Sequence, residues 1–134
     1  MELFPLRLRP GEDLRRSLEA AVAARGCAAA FVLSGIGSLG RSRIRFAGAD
    51  EAVAGEEDLE IVSLAGTIAK DGSHLHAALA RADGTMFGGH VAYGCVVRTT
   101  AEVLLALLQE WQFSRVPDPA TGFAELLVRK PVAD

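Results

Sequence analysis

The chain has few cysteines, no long apolar run and no excess of positive charge, and each absence excludes a class of protein. Two cysteines in 134 residues exclude a disulfide-stabilised scaffold. No apolar run reaches the roughly 18 residues that a membrane-spanning helix needs. The N-terminus has no charged segment followed by an apolar one, so we expect no secretory signal and a reducing, cytoplasmic setting.

The charge balance works against a general surface for nucleic acid or another polyanion. Lys and Arg number 14 and Asp and Glu 17, which gives a net charge of -3 and a pI near 5.6. The one local basic stripe consists of Arg41, Arg43 and Arg45, which alternate along a predicted strand. Because no aromatic residues interleave with them, we interpret the stripe as a solvated sheet face or a subunit contact.

The composition is that of a globular chain. Half of the residues are hydrophobic and 23% are charged, which is not the balance of a disordered protein. The length suits one core, so we predict a single domain over residues 1–134. A mean hydropathy of +0.25 predicts that part of the apolar surface is buried between subunits. Cys27 and Cys95 lie in apolar runs and are predicted to be buried and unpaired.

The order of local patterns predicts an α+β fold, with one main helix and a mainly antiparallel or mixed sheet. The helix is predicted over residues 12–25 and ends at Gly26. Residues 34–38 are predicted to form a glycine-spaced loop, and residues 99–111 suit both helix and strand. Strands are predicted at residues 2–9 (an edge strand because of Pro5), 27–36 (buried on both faces), 41–46, 59–68, 73–80, 85–97 (interrupted by Gly88 and Gly89) and 123–129.

All three histidines of the chain fall in one short window. His74 and His76 are two residues apart, so on a strand they point to the same face. A hairpin turn at residues 83–84 would bring His90 opposite them. Three neutral imidazoles suit zinc, which we favour, or another divalent metal, and they leave a position open for water or substrate. Such a site would lose its metal as the pH falls through about 6.5. The alternative is that the histidines belong to a solvated sheet face.

Other candidate residues are weaker. The segment containing Ser34, Gly35, Gly37 and Ser38 lacks the lysine of a phosphate loop, so it is either a strand connection or a contact for an anion or substrate. The pair at residues 88–89 would allow a close backbone approach beside a bound ligand, or a bulge that re-aims His90.

Two acidic residues are also candidates. Glu102 lies in an apolar stretch and is a weak candidate for a catalytic acid or base, although a solvated position is the simpler interpretation. Asp71 either orients a histidine or occupies a turn.

The ordered motifs of the chain resemble those of the PPC domain (plants and prokaryotes conserved, also called DUF296). The resemblance extends over residues 2–130, and its motifs lie at residues 31–38, 59–68, 72–76, 88–91 and 118–126. It implies a compact α/β domain that assembles as a homotrimer, with an extended chain over residues 95–107. For the bacterial stand-alone form of the family, it also implies a metal at the three histidines.

The resemblance leaves more than one function open. Plant members carry an AT-hook that enters the DNA minor groove, and many bacterial members bear a DNA-binding label. No such hook is present here, because Arg9-Pro10-Gly11 has no basic flank. The first hypothesis is a stand-alone PPC domain with a three-histidine metal site and a small-ligand or unassigned enzymatic role. The second is a DNA-associated regulatory or oligomerisation module, and the third a purely structural assembly domain.

Overall fold

Alternation of apolar and polar side chains places most of the chain in strands. The computed structural model describes residues 1–131, and the elements below refer to that part of the chain. In chain order they are β1 (Glu2–Leu8), α1 (Leu14–Ala24), β2 (Ala29–Arg45), β3 (Val53–Gly55), β4 (Leu59–Ala69), β5 (Gly72–Ala80), β6 (Met86–Val91), β7 (Val96–Leu107), β8 (Gln112–Pro117) and β9 (Ala124–Arg129). One helix and a mainly antiparallel sheet confirm the predicted fold class.

The main sheet is antiparallel and has seven strands. Six strands follow the order β1-β7-β2-β4-β5-β6, and β3 pairs with β2. Strand β2 is 17 residues long and pairs with β4 and β7 along its length. Near its end it also pairs with β6. Strands β2, β4, β5 and β6 therefore form a closed circuit, which brings β6 between β5 and the end of β2.

Helix α1 forms where its local signals predict it. The side chain of Asp13 accepts a hydrogen bond from the Arg16 N–H at 2.9 Å and caps the first turn. Leu14, Leu18 and Val22 repeat at helical spacing and are buried against the sheet. The core therefore lies between α1 and one face of the sheet.

The hairpin of β8 and β9 packs separately on the opposite face. Phe113 is buried against Ala29 and Ala69 and contacts the Phe31 ring edge-on, with the ring centroids 5.6 Å apart. This small cluster attaches the hairpin to the main sheet. Strand β8 was not predicted from the sequence, because a single short strand with one buried residue has little periodicity.

The predicted loop at residues 34–38 is wrong, because these residues lie inside β2. Register shifts in the β2–β7 pairing absorb the irregularity that the glycines introduce. A Cβ at Gly37 would lie 2.3 Å from the Thr100 carbonyl oxygen, so this glycine permits close strand pairing. The prediction that residues 27–36 are buried on both faces is also wrong, because Phe31, Leu33 and Ile36 are exposed.

Three further boundaries differ from the sequence predictions. The long strand predicted at residues 85–97 breaks at residues 92–95, and the glycine pair at residues 88–89 continues β6. The ambiguous segment 99–111 is strand as far as Leu107, since β1 and β2 hold β7 on both sides. That pairing outweighs the helix propensity of its leucines. The acidic stretch at residues 49–58, for which no strand is predicted, contains the short strand β3.

Both cysteines are buried and free, as predicted. Within residues 1–131, no helix has the length and apolar character needed to cross a membrane.

Candidate metal centre

Strand pairing brings the three histidines together. His74 and His76 lie on β5 on either side of Leu75, which is fully buried in the core. His90 lies on β6 and is the direct cross-strand partner of His76. The predicted arrangement, a same-face pair met by the third histidine across the ladder, is confirmed.

The three imidazoles converge on one point. Their ring centroids are 4.7 Å apart for His74 and His76, 5.2 Å for His74 and His90, and 5.9 Å for His76 and His90. One ring nitrogen from each lies within 4.8 Å of the other two. The Nε2 atoms of His74 and His76 are 3.0 Å apart, close to the separation of about 3.3 Å between two ligand nitrogens on tetrahedral zinc.

The ring nitrogens are suited to accept a cation. Nδ1 of His90 is buried and has no hydrogen-bond partner among the described residues, which is uncommon for a buried polar atom. Desolvation, then the charges of Arg15 and Arg45, lower the pKa of His90 to about 4. Desolvation and the neighbouring His76 also lower the pKa of His74. Since ligation requires neutral imidazole, this donor set fits a divalent metal.

Glycines allow the strands that carry the histidines to approach closely. A Cβ on Gly88 would lie 2.3 Å from the Ala77 carbonyl oxygen, and one on Gly89 would lie 2.6 Å from the Arg45 carbonyl oxygen. The pair therefore allows close strand pairing, and its contact with a bound ligand stays a prediction. Gly66 on β4 likewise allows β4 and β5 to approach closely, since a Cβ there would lie 2.0 Å from the His74 carbonyl oxygen. A glycine inside a predicted strand is the sequence signal that points to Gly66.

The side chain of Arg15 on α1 hydrogen-bonds the backbones of β5 and β6 next to two of the histidines. Its guanidinium donates to the carbonyl oxygens of Ser73 at 2.8 Å and Val91 at 3.3 Å, which adjoin His74 and His90. It also pairs with Glu19, which accepts hydrogen bonds from Ser73 and from the Tyr93 hydroxyl. Sequence reasoning missed this network because it joins residues more than 50 positions apart.

A cavity of about 690 Å³ lies beside the histidines. His74 and His90 line it together with Arg45, Arg115 and Phe123. Asp71 also lines it, but its carboxylate accepts the backbone N–H of Arg115 at 3.0 Å. The hypothesis that Asp71 orients a histidine is therefore not supported by its hydrogen bonds.

The remaining candidate residues lie elsewhere in the single chain. Ser34, Gly35, Gly37 and Ser38 are in the part of β2 that pairs with β7, and Ser38 hydrogen-bonds Thr99. Glu102 is exposed on β7, opposite Ile36 of β2. None of these residues lines the cavity beside the histidines.

The chain is similar to a known family and to proteins of known structure. The profile of the Plants and Prokaryotes Conserved (PCC) domain, the PPC domain of the sequence analysis, matches residues 1–109. The chain belongs to this family. The bifunctional protein GlmU of Synechococcus sp. (strain JA-3-3Ab) is 46% identical to this PPC chain over 130 residues. The match covers 97% of the chain and 21% of GlmU, so the chain spans about a fifth of that relative's length.

Solved structures share the fold of this PPC domain. A hypothetical protein from Salmonella cholerae-suis has a TM-score of 0.94 and 35% identity, covering 98% of this chain and 95% of its own. A metal-containing protein from Archaeoglobus fulgidus has a TM-score of 0.76 and 32% identity, covering 95% and 94%. A protein from Bacteroides thetaiotaomicron, named as a candidate DNA-binding protein, has a TM-score of 0.82 over 92% and 90% of the two chains. Its 22% identity supports the fold alone.

Proposed function

We propose that this chain is a single PPC domain that binds one divalent metal ion, with zinc expected first, through His74, His76 and His90. The observation that carries the proposal is the convergence of three ring nitrogens, with the buried Nδ1 of His90 left without a partner. The metal-containing relative from Archaeoglobus fulgidus supports it.

The residues of the chain prepare the site for the ion. The closely packed strands β5 and β6 hold the rings, and desolvation keeps His74 and His90 neutral at pH 7. A bound divalent ion would supply Lewis acidity and open coordination positions. We extend the proposal to a small ligand in the adjoining cavity and assign no reaction. A catalytic role for Glu102, or a ligand contact from residues 34–38, would have to come from a neighbouring subunit.

The test is metal analysis of protein purified without an affinity tag and reconstituted at pH 7.5. We expect about one zinc ion per chain. His90→Ala should bind zinc at least about tenfold more weakly because the chelate loses one ligand. Glu110→Gln is the control, since this exposed residue pairs with Lys130 and is outside the cluster. Sub-stoichiometric binding of zinc, iron, manganese and nickel to the wild type would refute the proposal.

We also propose that the domain assembles as a homotrimer, a number that comes from the family resemblance. Five large apolar side chains alternate with core residues yet are 41% to 54% exposed: Leu3, Phe31, Leu33, Ile36 and Val62. Phe31 pairs with Thr67, which in turn pairs with His74, so this apolar surface continues towards the histidines. Burial of the surface by a second copy would place the metal site near a subunit boundary.

Light scattering tests the assembly. We expect three times the chain mass of 14.1 kDa at micromolar concentration. Leu33→Asp should lower the measured mass, because it places a charge in the interface. A monomer mass for the wild type would refute the assembly, and a dimer mass would refute the number. A cytoplasmic location stays a prediction.

The alternative, a DNA-associated module, has less support from the surface. Arg41 of the basic stripe pairs with Glu56, and Arg45 faces the cavity. We expect no sub-micromolar binding to A·T-rich duplex DNA at about 150 mM salt, because few phosphate contacts are possible. Tight binding in a gel-shift experiment would favour the alternative.

A further inference from the structure

We propose that the cavity beside the histidines binds a small carboxylic acid, whose carboxylate lies between the bound metal ion and the guanidinium groups of Arg45 and Arg115. The inference rests on the proposed metal-binding function and names the class of ligand that would complete the site.

Each of the two arginines neighbours a different histidine of the cluster. Arg45 is the direct cross-strand partner of His90 in the β2–β6 pairing. Arg115, from β8, donates to the Thr67 hydroxyl at 2.8 Å, and Thr67 is the direct partner of His74 in the β4–β5 pairing. Direct antiparallel partners have Cβ atoms about 4.5–5.5 Å apart. The Arg45 side chain therefore starts next to that of His90, and the Arg115 guanidinium lies on Thr67, the neighbour of His74.

Both guanidinium groups keep donors for a ligand. Among the described residues, neither Arg45 nor Arg115 forms an ion pair. The Arg45 side chain donates to one carbonyl oxygen, that of Ala49, and the Arg115 side chain to Thr67 alone. Since guanidinium has five N–H donors, most remain available. Arg15, the third arginine of the cavity wall, is instead paired with Glu19.

Charge counting shows when an anion is needed. The cavity wall carries three arginines and three acidic residues, Asp50, Asp71 and Glu125. Because Arg15 is neutralised by Glu19, the remaining two arginines face three carboxylates, a sum of -1. The imidazoles bring no negative charge, so a divalent ion changes the sum to +1. An anionic ligand would offset this positive charge. We therefore expect anion binding only when the metal is present.

A carboxylate suits the wall better than a phosphate does. It offers hard oxygen to the metal and a planar pair of acceptors to a guanidinium. Its single charge is repelled less by the three acidic residues than the larger charge of a phosphate would be. Phe123 lines the cavity and is 68% exposed, so it offers an apolar side chain to the carbon part of the ligand. The volume of about 690 Å³ lies within the range of small-molecule sites.

The C-terminal hairpin supplies much of this wall. Arg115, Phe123 and Glu125 all follow residue 109, where the match to the family profile ends. The ligand contacts we infer therefore depend on a part of this chain that the profile does not describe.

The experiment uses the whole chain loaded with zinc, after metal analysis has established one ion per chain. Calorimetric titrations at pH 7.5 would compare acetate, benzoate and inorganic phosphate on zinc-loaded and metal-free protein. We expect both carboxylates to bind the zinc-loaded form alone, benzoate more tightly than acetate, and phosphate more weakly than either.

Variants separate the arginines from the metal. Arg45→Gln and Arg115→Gln should each weaken benzoate binding about tenfold or more. Zinc affinity should stay equal or rise, because a positive charge beside the ion is removed. Arg41→Gln is the matched control, since it lies on the same strand but pairs with Glu56, and it should change neither affinity.

The outcomes distinguish the two proposals. Failure of the wild type to bind zinc would refute the metal site itself. Stoichiometric zinc without benzoate binding would overturn the carboxylate inference and leave the metal site intact. Equal benzoate binding to metal-free protein, or phosphate binding as tight as benzoate, would overturn the assigned ligand class. Parallel losses of zinc and benzoate affinity in both arginine variants would also overturn it.

Discussion

Replacement of Arg15 by alanine should destabilise the fold more than any other single arginine substitution on α1. The Arg15 side chain is 15% exposed and that of its partner Glu19 is 23% exposed. Its guanidinium also donates to the Ser73 hydroxyl and to two carbonyl oxygens, and it stacks on Tyr93 with a centroid distance of 4.2 Å. Alanine would leave those acceptors without their charged donor.

The magnitude follows from the burial of this network. Removing one partner of a buried ion pair costs about 3–5 kcal/mol. Burial raises the pKa of Glu19, but hydrogen bonds from Ser73, Tyr93 and Arg15 outweigh it and hold the pKa below its usual value. Because Glu19 keeps the bonds from Ser73 and Tyr93, and because the pair is partly solvated, we expect a loss of about 2–3 kcal/mol. The melting temperature should fall by about 6–15 °C.

Urea unfolding of the metal-free protein at fixed concentration measures this loss, since assembly would otherwise shift the midpoint. Arg16→Ala is the matched control: Arg16 also stacks on Tyr93, at 4.3 Å, but its side chain forms no ion pair within residues 1–131. Arg16→Ala should lower the free energy of unfolding by less than about 1 kcal/mol. The loss of stability in Arg15→Lys should lie between those of Arg15→Ala and Arg16→Ala, because one ammonium group cannot reach both carbonyl oxygens. Equal losses in Arg15→Ala and Arg16→Ala would refute the reasoning.

Four further predictions concern the histidine site and the hairpin. Metal-free protein should lose stability in urea as the pH falls from about 6.5 to about 4, because the unfolded chain protonates His90 before the folded chain does. Because burial keeps His90 neutral in the folded chain, zinc should be released at a lower pH than the roughly 6.5 expected from the sequence, as measured by equilibrium dialysis. A His90→Gln release profile as steep as that of the wild type would contradict the assignment. Gly88→Ala should separate β5 from β6 and lower zinc affinity at least about tenfold. Gly40→Ala, where a Cβ meets only ordinary contacts at 3.7 Å, should not. Phe113→Ala should lower the free energy of unfolding, measured in urea, by about 3–5 kcal/mol. Phe123→Ala at the exposed hairpin tip should hardly change it. Equal effects would show that Phe113 does not attach the hairpin to the main sheet.

Local patterns in the sequence determined the helix and the relation between the histidines. The cap at Asp13 and the repeat of Leu14, Leu18 and Val22 act within one helix, so they identify it without knowledge of the rest of the fold. The two-residue period of a strand places His74 and His76 on one face. A short hairpin then brings His90 to His76, because residues at similar distances from a turn become cross-strand partners.

Tertiary structure alone decided the remainder. Residues 99–107 suit helix or strand, and they became strand because β1 and β2 supply hydrogen-bond partners on both sides. The segment 34–38 pairs as strand for the same reason. The three arginines around the histidines come from α1, β2 and β8, and strand register brings two of them there. Such neighbours depend on contacts between distant segments, which no local period in the sequence encodes.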